Sequence, residues 1–196
     1  MRCAALLLVA ACSLGGKPPK YDYFVLTSTR GIRPPRAQPG AVERPVVAVG
    51  QVTIPGYLDR DSIVTRIDDH RLVYSTQNRW AEPVDQAFER TLRQDLATAL
   101  APTGITVPPH AGAPTYDLDV EVLRFERRGA DRIELWARWI VRADGKRVDS
   151  GETRILVPMS SRDNDAMASA LSQAIARMAT EISERITHQD RAASAT

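Results

Sequence analysis

A chain of 196 residues, 43% hydrophobic and 26% charged, has an ordinary globular composition and can bury a core of its own; the length suits one domain plus a tether. Lysine and arginine number 26 against 24 aspartate and glutamate, a net charge of +2. The arginines are interleaved with acids along the chain, which argues against a nucleic-acid binder, since that role calls for a clustered positive excess.

The N-terminus reads MRCAALLLVAACSLGG. Residues 4–11 are apolar throughout, but a helix of that length, at about 1.5 Å per residue, reaches roughly 12 Å against about 30 Å of hydrocarbon, so it is not a transmembrane span. Arg2 ahead of the run and Ala10 and Ala11 at its end fit a secretory signal of the Sec type. Cys12 directly follows Val9, Ala10 and Ala11, which resembles a bacterial lipobox and implies acyl chains on the Cys12 sulfur and amino group. The alternative is a soluble domain with an apolar N-terminal strand. Cys3 would leave with the signal and Cys12 would be consumed by lipid, leaving no thiol for a disulfide, a metal or a nucleophile. Each methylene buried in lipid gains about 0.8 kcal/mol, so two or three chains anchor durably where one does not. Ser13, rather than aspartate, follows the cysteine, a pattern that resembles cargo released to the outer membrane.

Residues 14–20 are small, polar and proline-bearing, as in a flexible tether. YDYFVL (21–26) predicts a first strand, and the Pro-, Gly- and Arg-rich stretch after it an exposed loop. Residues 46–54 predict a short strand buried on both faces, ended by Pro55 and Gly56. IVTRIDDHRLVYS predicts a β-hairpin, with arms at 63–67 and 72–75; Asp68, Asp69 and His70 serve the turn rather than a metal. The period then changes. Val84, Phe88, Leu92, Leu96, Ala99 and Leu100 line one helical face, with Asp85, Glu89, Arg93 and Asp95 mostly elsewhere. This helix should begin at Pro83 and be stopped by Pro102 and Gly104.

A possible short strand at 105–107 and a second proline-rich loop lead to three long strands. In the first, Tyr116, Leu118, Val120 and Val122 oppose Asp117, Asp119 and Glu121, but at Leu123 the phase flips, which predicts a β-bulge at 122–124. In the second, Ile133, Leu135, Ala137, Trp139 and Val141 face one side and Glu134, Trp136, Arg138 and Ile140 the other. Asp144-Gly145 signals a tight turn into the third strand, 147–157. A last helix over 164–187 carries the stripe Met167, Leu171, Ala174, Ile175, Met178, Ile182, Ile186, with Asp163 as cap. The expected organisation is a signal at 1–11, a lipidated tether at 12–20, one domain at 21–188 and a disordered tail at 189–196. The expected fold class is α+β: a mainly antiparallel sheet with two helices packed on one face.

Catalytic motifs are missing: no Gly-x-Ser-x-Gly elbow, no Gly-rich phosphate loop, no His-Glu-x-x-His. His70, His110 and His188 fall in loops or at a helix end. The sequence therefore points away from an enzyme, and implies no cofactor and no metal.

One segment is distinctive: VAVGQVTIPGYLDRDSIVTR, followed by RWAEPVDQAF opening the first helix. Val-x-x-Pro-x-Tyr-Leu-Asp-Arg, then Ile63-Val64-Thr65-Arg66, then Arg79-Trp80-Ala81-Glu82-Pro83 resembles the ABC-type transport auxiliary lipoproteins, the PqiC-like family, with YDYFVL where that family carries Tyr-Tyr-x-Leu. The likeness extends over about 21–186. It implies a non-enzymatic periplasmic lipoprotein, held at the outer membrane through Cys12, that works beside an MCE-domain protein and an ABC-type permease in moving lipids between membranes. Homo-oligomer formation stays open. Tyr57, Leu58, Arg60, Arg66, Arg79 and Trp80 are the candidate partner-binding residues, since aromatics and arginine are the usual interface anchors. Each also has a structural alternative: Tyr57 and Leu58 capping the core, Asp59, Arg60 and Asp61 forming a local ion-pair cluster, Trp80 stapling the helix start. Two other functions compete with docking. A lipid carrier requires an internal apolar cavity of several hundred Å³, and an envelope hydrolase requires a histidine beside an acid in a cleft.

Overall fold

The computed structural model describes residues 20–29, 44–110 and 112–195. The signal segment, Cys12, the tether up to residue 19 and the greater part of the first proline-rich loop lie outside the described residues. In chain order the elements are β1 (Asp22–Phe24), β2 (Val47–Thr53), β3 (Ser62–Arg66), β4 (Leu72–Trp80), α1 (Val84–Leu100), β5 (Tyr116–Arg128), β6 (Arg132–Ala143), β7 (Lys146–Pro158) and α2 (Asn164–Ser194). The class is α+β, as the order of elements implies, with both helices against one face of the sheet.

The sheet is mainly antiparallel, as expected, but mixed rather than purely so. Its order is β1-β4-β3-β5-β6-β7, with β2 paired to β5 beside β3. The β3–β4 hairpin and the β5–β6–β7 meander are antiparallel, but β1 runs parallel to β4, and β2 and β3 run parallel to β5. For β2 and β3 against β5 the cause is the connection through α1, which takes the chain from the end of β4 across to the far side of β3, so that β5 runs in the direction of β3; parallel neighbours require a crossover connection. β2 also departs from expectation. Val47 is buried, but Val49 and Val52 are only half-buried and Gly50, Gln51 and Thr53 are exposed, because β2 pairs with β5 alone.

β5 and β6 slip register between Val122 and Arg124, where the alternation of apolar residues changes phase. After this bulge Phe125 points into the core, edge-on to Phe88 of α1 with ring centroids 5.2 Å apart, and Arg124 and Glu126 point to the opposite face. The β6–β7 turn places Asp144 and Gly145 at φ of 49° and 72°, the left-handed pair that a two-residue hairpin needs. Gly151 on β7 lies under the Trp139 ring; a Cβ there would sit 2.4 Å from Trp139 Cζ2, so only glycine lets that indole reach Thr153 Oγ1, 3.0 Å from its nitrogen.

Apart from half-buried Ala99, the helix stripes are buried as their spacing implies, with two further differences. Asp95, assigned to the polar side of α1, is fully buried, because residues 25–28 cross that side. Leu26 is fully buried there; Ser28 Oγ donates to Asp95 Oδ1 at 2.6 Å, Arg90 Nη2 to the Leu26 carbonyl at 3.0 Å, and Thr27 N to Ser172 Oγ of α2 at 3.1 Å. The N-terminal arm is thereby fixed to both helices. Leu26→Ala should cost about 2–5 kcal/mol, the usual range for emptying a sealed leucine site, read as a lowered midpoint in urea unfolding. The second difference is at the C-terminus: α2, capped by Asp163 Oδ1 accepting from Ala166 N at 2.7 Å, continues to Ser194, where a disordered tail from residue 189 was expected. Asp190 accepts from the Tyr116 hydroxyl at 3.3 Å, which holds the added turn against β5.

Candidate functional site

The motif residues gather around the connection between β2 and β3. Pro55 turns the chain, with Leu58 N donating to its carbonyl at 2.8 Å, and residues 55–61 then pass over the sheet face opposite the helices. Leu58 is buried there. The Tyr57 hydroxyl donates to Glu126 Oε2 at 2.8 Å, and Arg66 Nε donates to Glu126 Oε1 at 2.6 Å. The Glu126 side chain has no exposed surface and that of Arg66 only 10%. Glu126 Oε2 also accepts from Phe125 N at 3.0 Å, so the carboxylate is held by a cation, a phenol and an amide. The Arg66 guanidinium lies 5.5 Å from the Tyr57 ring centroid. Burial, followed by the Glu126 carboxylate, pushes the Tyr57 phenol far above its ordinary range, which keeps it a proton donor at every physiological pH.

A second bracing point is Arg79, half-buried at the end of β4. It donates to Ser62 Oγ, lies 3.4 Å from Asp61 Oδ2, and stacks over Tyr21 with 4.8 Å between guanidinium carbon and ring centroid. Asp61 therefore pairs across the hairpin with Arg79, in place of the local cluster with Asp59 and Arg60. Trp80 is buried at the last position of β4, with its amide donating to the Asp61 carbonyl at 2.6 Å. Glu82 pairs with Arg90 in the second turn of α1.

Of the six candidates, Leu58, Arg66 and Trp80 are thus buried, Tyr57 and Arg79 are half-buried, and Arg60 is exposed, its guanidinium 5.1 Å above the Tyr74 ring. Tyr74 Oη donates to the Tyr57 carbonyl at 3.3 Å, which ties down the other side of the loop. Of the loop, Gly56, Asp59, Arg60 and Asp61 are exposed, so that among the six candidates Arg60 is the one open to a partner.

Sequence reasoning did not single out the neighbouring cluster. Glu126 lies cross-strand from Glu134, a carboxylate with no exposed surface that pairs with Arg124, Arg128 and Arg154. Burial alone would raise Glu134, but hydrogen bonds from Arg154 and Arg124 outweigh it and hold the carboxyl below its ordinary range. The signal that pointed to this cluster was the phase flip at Leu123, which puts Arg124 and Glu126 on the face of Glu134 and Trp136.

His70, His110 and His188 are all exposed, with His188 inside α2 rather than at its end. Among the described residues no group of histidine, cysteine, aspartate and glutamate is arranged to hold a metal. Nor is any helix among them long and apolar enough to cross a membrane. A groove of about 360 Å³ lies on the open sheet face, lined by Ile140 and by the charged residues Asp119, Glu121, Arg138, Arg147 and Glu152; another of about 290 Å³ lies between residues 23–29 and the first turns of α2.

Comparison with known proteins agrees with the motif. The model of the ABC-type transport auxiliary lipoprotein component matches residues 26–183. The intermembrane transport lipoprotein PqiC of Escherichia coli (strain K12) is 31% identical over 98 residues, 50% of this chain and 52% of that protein, and the Shigella flexneri protein gives the same figures. The chain thus spans about half the length of the curated relatives it matches. Among solved structures, an uncharacterized protein superposes with a TM-score of 0.71 at 22% identity, covering 85% of this chain and 99% of its own. A Xanthomonas campestris protein gives 0.63 at 22% identity, covering 90% and 100%. At such identities the two structures speak to the fold alone.

Proposed function

The chain belongs to the ABC-type transport auxiliary lipoprotein family, and from that premise we propose that it is a docking and assembly element of an MCE and ABC-type system moving lipids between membranes. It is held at the periplasmic face of the outer membrane by acyl chains on Cys12, and meets the periplasmic end of a partner rooted in the inner membrane. Its task is one of position, not of bond-making.

The observation that supports this most directly is the loop at 55–61. A buried ion pair, a phenol and a cross-hairpin salt bridge are all committed to holding it, while its tip, Asp59 and Arg60, is exposed. Arginine and tyrosine recur at interface anchors because they offer large contact area with fixed donors. In this reading Tyr57, Leu58, Arg66, Arg79 and Trp80 act as positioning residues and Arg60 touches the partner. The grooves fit a carrier less well, since the larger is lined by five charged residues on an open face, whereas acyl chains call for an enclosed apolar space.

The test is co-isolation of an MCE-domain protein with the chain from solubilised envelopes. Recovery of the partner is expected, and Arg60→Glu should reduce it at least tenfold while leaving the unfolding midpoint nearly unchanged, as for an exposed substitution. Absence of any such partner under conditions that preserve the transport complex would refute the reading.

A further inference from the structure

β7 forms one end of the sheet: β6 lies on one side of it, and among the described residues no strand lies on the other. The opposite end, β1, offers only 3 residues, whereas β7 runs from Lys146 to Pro158. In an antiparallel pair the N–H and C=O of one residue point to the same edge, and successive residues alternate. Met159 N donates to the Asp131 carbonyl at 2.7 Å, one step beyond the pairing of Arg132 with Pro158. The alternation therefore turns the backbone groups of odd-numbered residues 149–157 toward β6 and those of even-numbered residues 150–158 outward. Ser150 N is taken by Asp149 Oδ1 at 2.8 Å. The N–H groups of Glu152, Arg154 and Leu156 find no backbone partner among the described residues, and Ser150, Glu152, Arg154 and Leu156 are all exposed.

A free edge of this length invites pairing, and proteins ordinarily blunt it with proline, a bulge or charge. In β7 both ends are blunted and the middle is not. Val148 is the bulged residue, left without a partner where Val141 and Arg142 of β6 pair with Asp149 and Arg147. Pro158 has no N–H to give. Thr153 stands equally far from both, and the charges fall about the same centre, with Glu152 before it and Arg154 after it. Laid antiparallel on a second copy with Thr153 facing Thr153, the edge sets Glu152 against Arg154 and Val148 against Pro158. A slip of one hydrogen-bonding step either way sets Glu152 against Glu152 or Arg154 against Arg154, and like charges directly opposite are destabilising.

We propose that the β7 edge is the contact surface for a second copy of this chain, the two strands pairing antiparallel about a two-fold axis at Thr153 so that the sheets become continuous. In each copy Glu152 N, Arg154 N and Leu156 N donate to the carbonyls of residues 154, 152 and 150 of the other. A two-fold contact uses the same patch on both copies, so self-complementarity is what it requires. Glu-Thr-Arg midway between a bulge and a proline supplies it. The backbone bonds give the attachment and the charges select the register. Both charged groups keep capacity for this. Glu152 accepts from the Trp136 indole at one oxygen and from Arg138 at the other, and each oxygen can take a second bond. Arg154 gives Nε and Nη2 to Glu134, which leaves the Nη1 donors to reach across. The inference concerns self-assembly and stands apart from the docking role, so either can fail alone.

The test is sedimentation of the full chain, carrying Cys12→Ser, over a concentration series, with hydrogen exchange read at residues 152, 154 and 156. A monomer–dimer equilibrium is expected, with those amides slowed as the dimer forms. Leu156→Pro removes one outward N–H at a position where an edge tolerates proline, and should weaken the dimer at least tenfold. So should Glu152→Lys, which sets lysine against Arg154, and Arg154→Glu, which sets two carboxylates together. An equimolar mixture of these two restores both opposite-charge pairs and should dimerise as the parent does. A parent chain that stays monomeric overturns the proposal, as does one whose association leaves the three amides in fast exchange or is unchanged in the variants. A mixture of the two folded charge variants that stays monomeric overturns it as well. Should either charge variant fail to fold, Leu156→Pro and the exchange rates decide.

Discussion

Arg66→Met should destabilise the fold by about 3–5 kcal/mol, the range for removing one partner of a buried ion pair, and lower the thermal midpoint by roughly 10 °C, since each kcal/mol is worth about 2–4 °C at this size. The size of the effect comes from Glu126, not from the lost cation. Its side chain has no exposed surface, so without Arg66 a carboxylate is left in a site where Tyr57 and one amide are its remaining partners. Adding Glu126→Gln to Arg66→Met removes that stranded charge while keeping an acceptor for the Tyr57 hydroxyl. The double variant should therefore be more stable than Arg66→Met alone by at least 1 kcal/mol. Calorimetry on the four proteins of the cycle measures this; additive losses would mean that Arg66 and Glu126 do not act on each other. Because the pair also holds the loop at 55–61, Arg66→Met should weaken partner recovery together with stability, whereas Arg60→Glu should weaken recovery alone.

Much of this fold is legible in the residue pattern, and the exceptions have a common cause. Alternation along β5 shows which residues face the core and where the bulge must fall, and Asp144-Gly145 announces its turn, since those signals depend only on neighbours in sequence. Pairing partners are not encoded locally. The pattern of β2 and β3 is the same whether β5 passes parallel or antiparallel to them, and the choice is made by the path of α1. Asp95 reads as a surface residue because the segment that covers it, around Leu26, is remote in sequence. Glu126 and Glu134 read as the wet face of two strands for the same reason: one is sealed by Tyr57 and Arg66, the other by three arginines, and neither cover is visible in a window of a few residues. The motif at 55–66 is recognisable as a motif, but its division into buried braces and an exposed tip appears only once Glu126 lies beneath it.

Cys12→Ser is expected to shift the chain almost completely from membranes to the soluble periplasmic fraction. Among the described residues no helix is long and apolar enough to hold the protein in a bilayer; α2 is long, but its apolar residues form one stripe that is already buried in the core. In the proposed reading two or three acyl chains on Cys12, at about 0.8 kcal/mol per buried methylene, would supply the attachment that this substitution removes. The fold itself should be unaffected, since the N-terminal arm is fixed from within by Leu26, Asp95, Ser172 and Arg90. Fractionation with detection of the chain reads the shift, and a variant still found wholly with membranes would show that another element anchors it.

If position is the whole contribution of this protein, exchanging the means of attachment while keeping the place is the decisive measurement. Lipid transfer between inner and outer membranes should be lost with Cys12→Ser and regained when the same variant is fused to an unrelated outer-membrane anchor. Transfer that persists at the full rate with the unanchored chain, or stays absent when the chain is returned to the membrane by the substitute anchor, would contradict it.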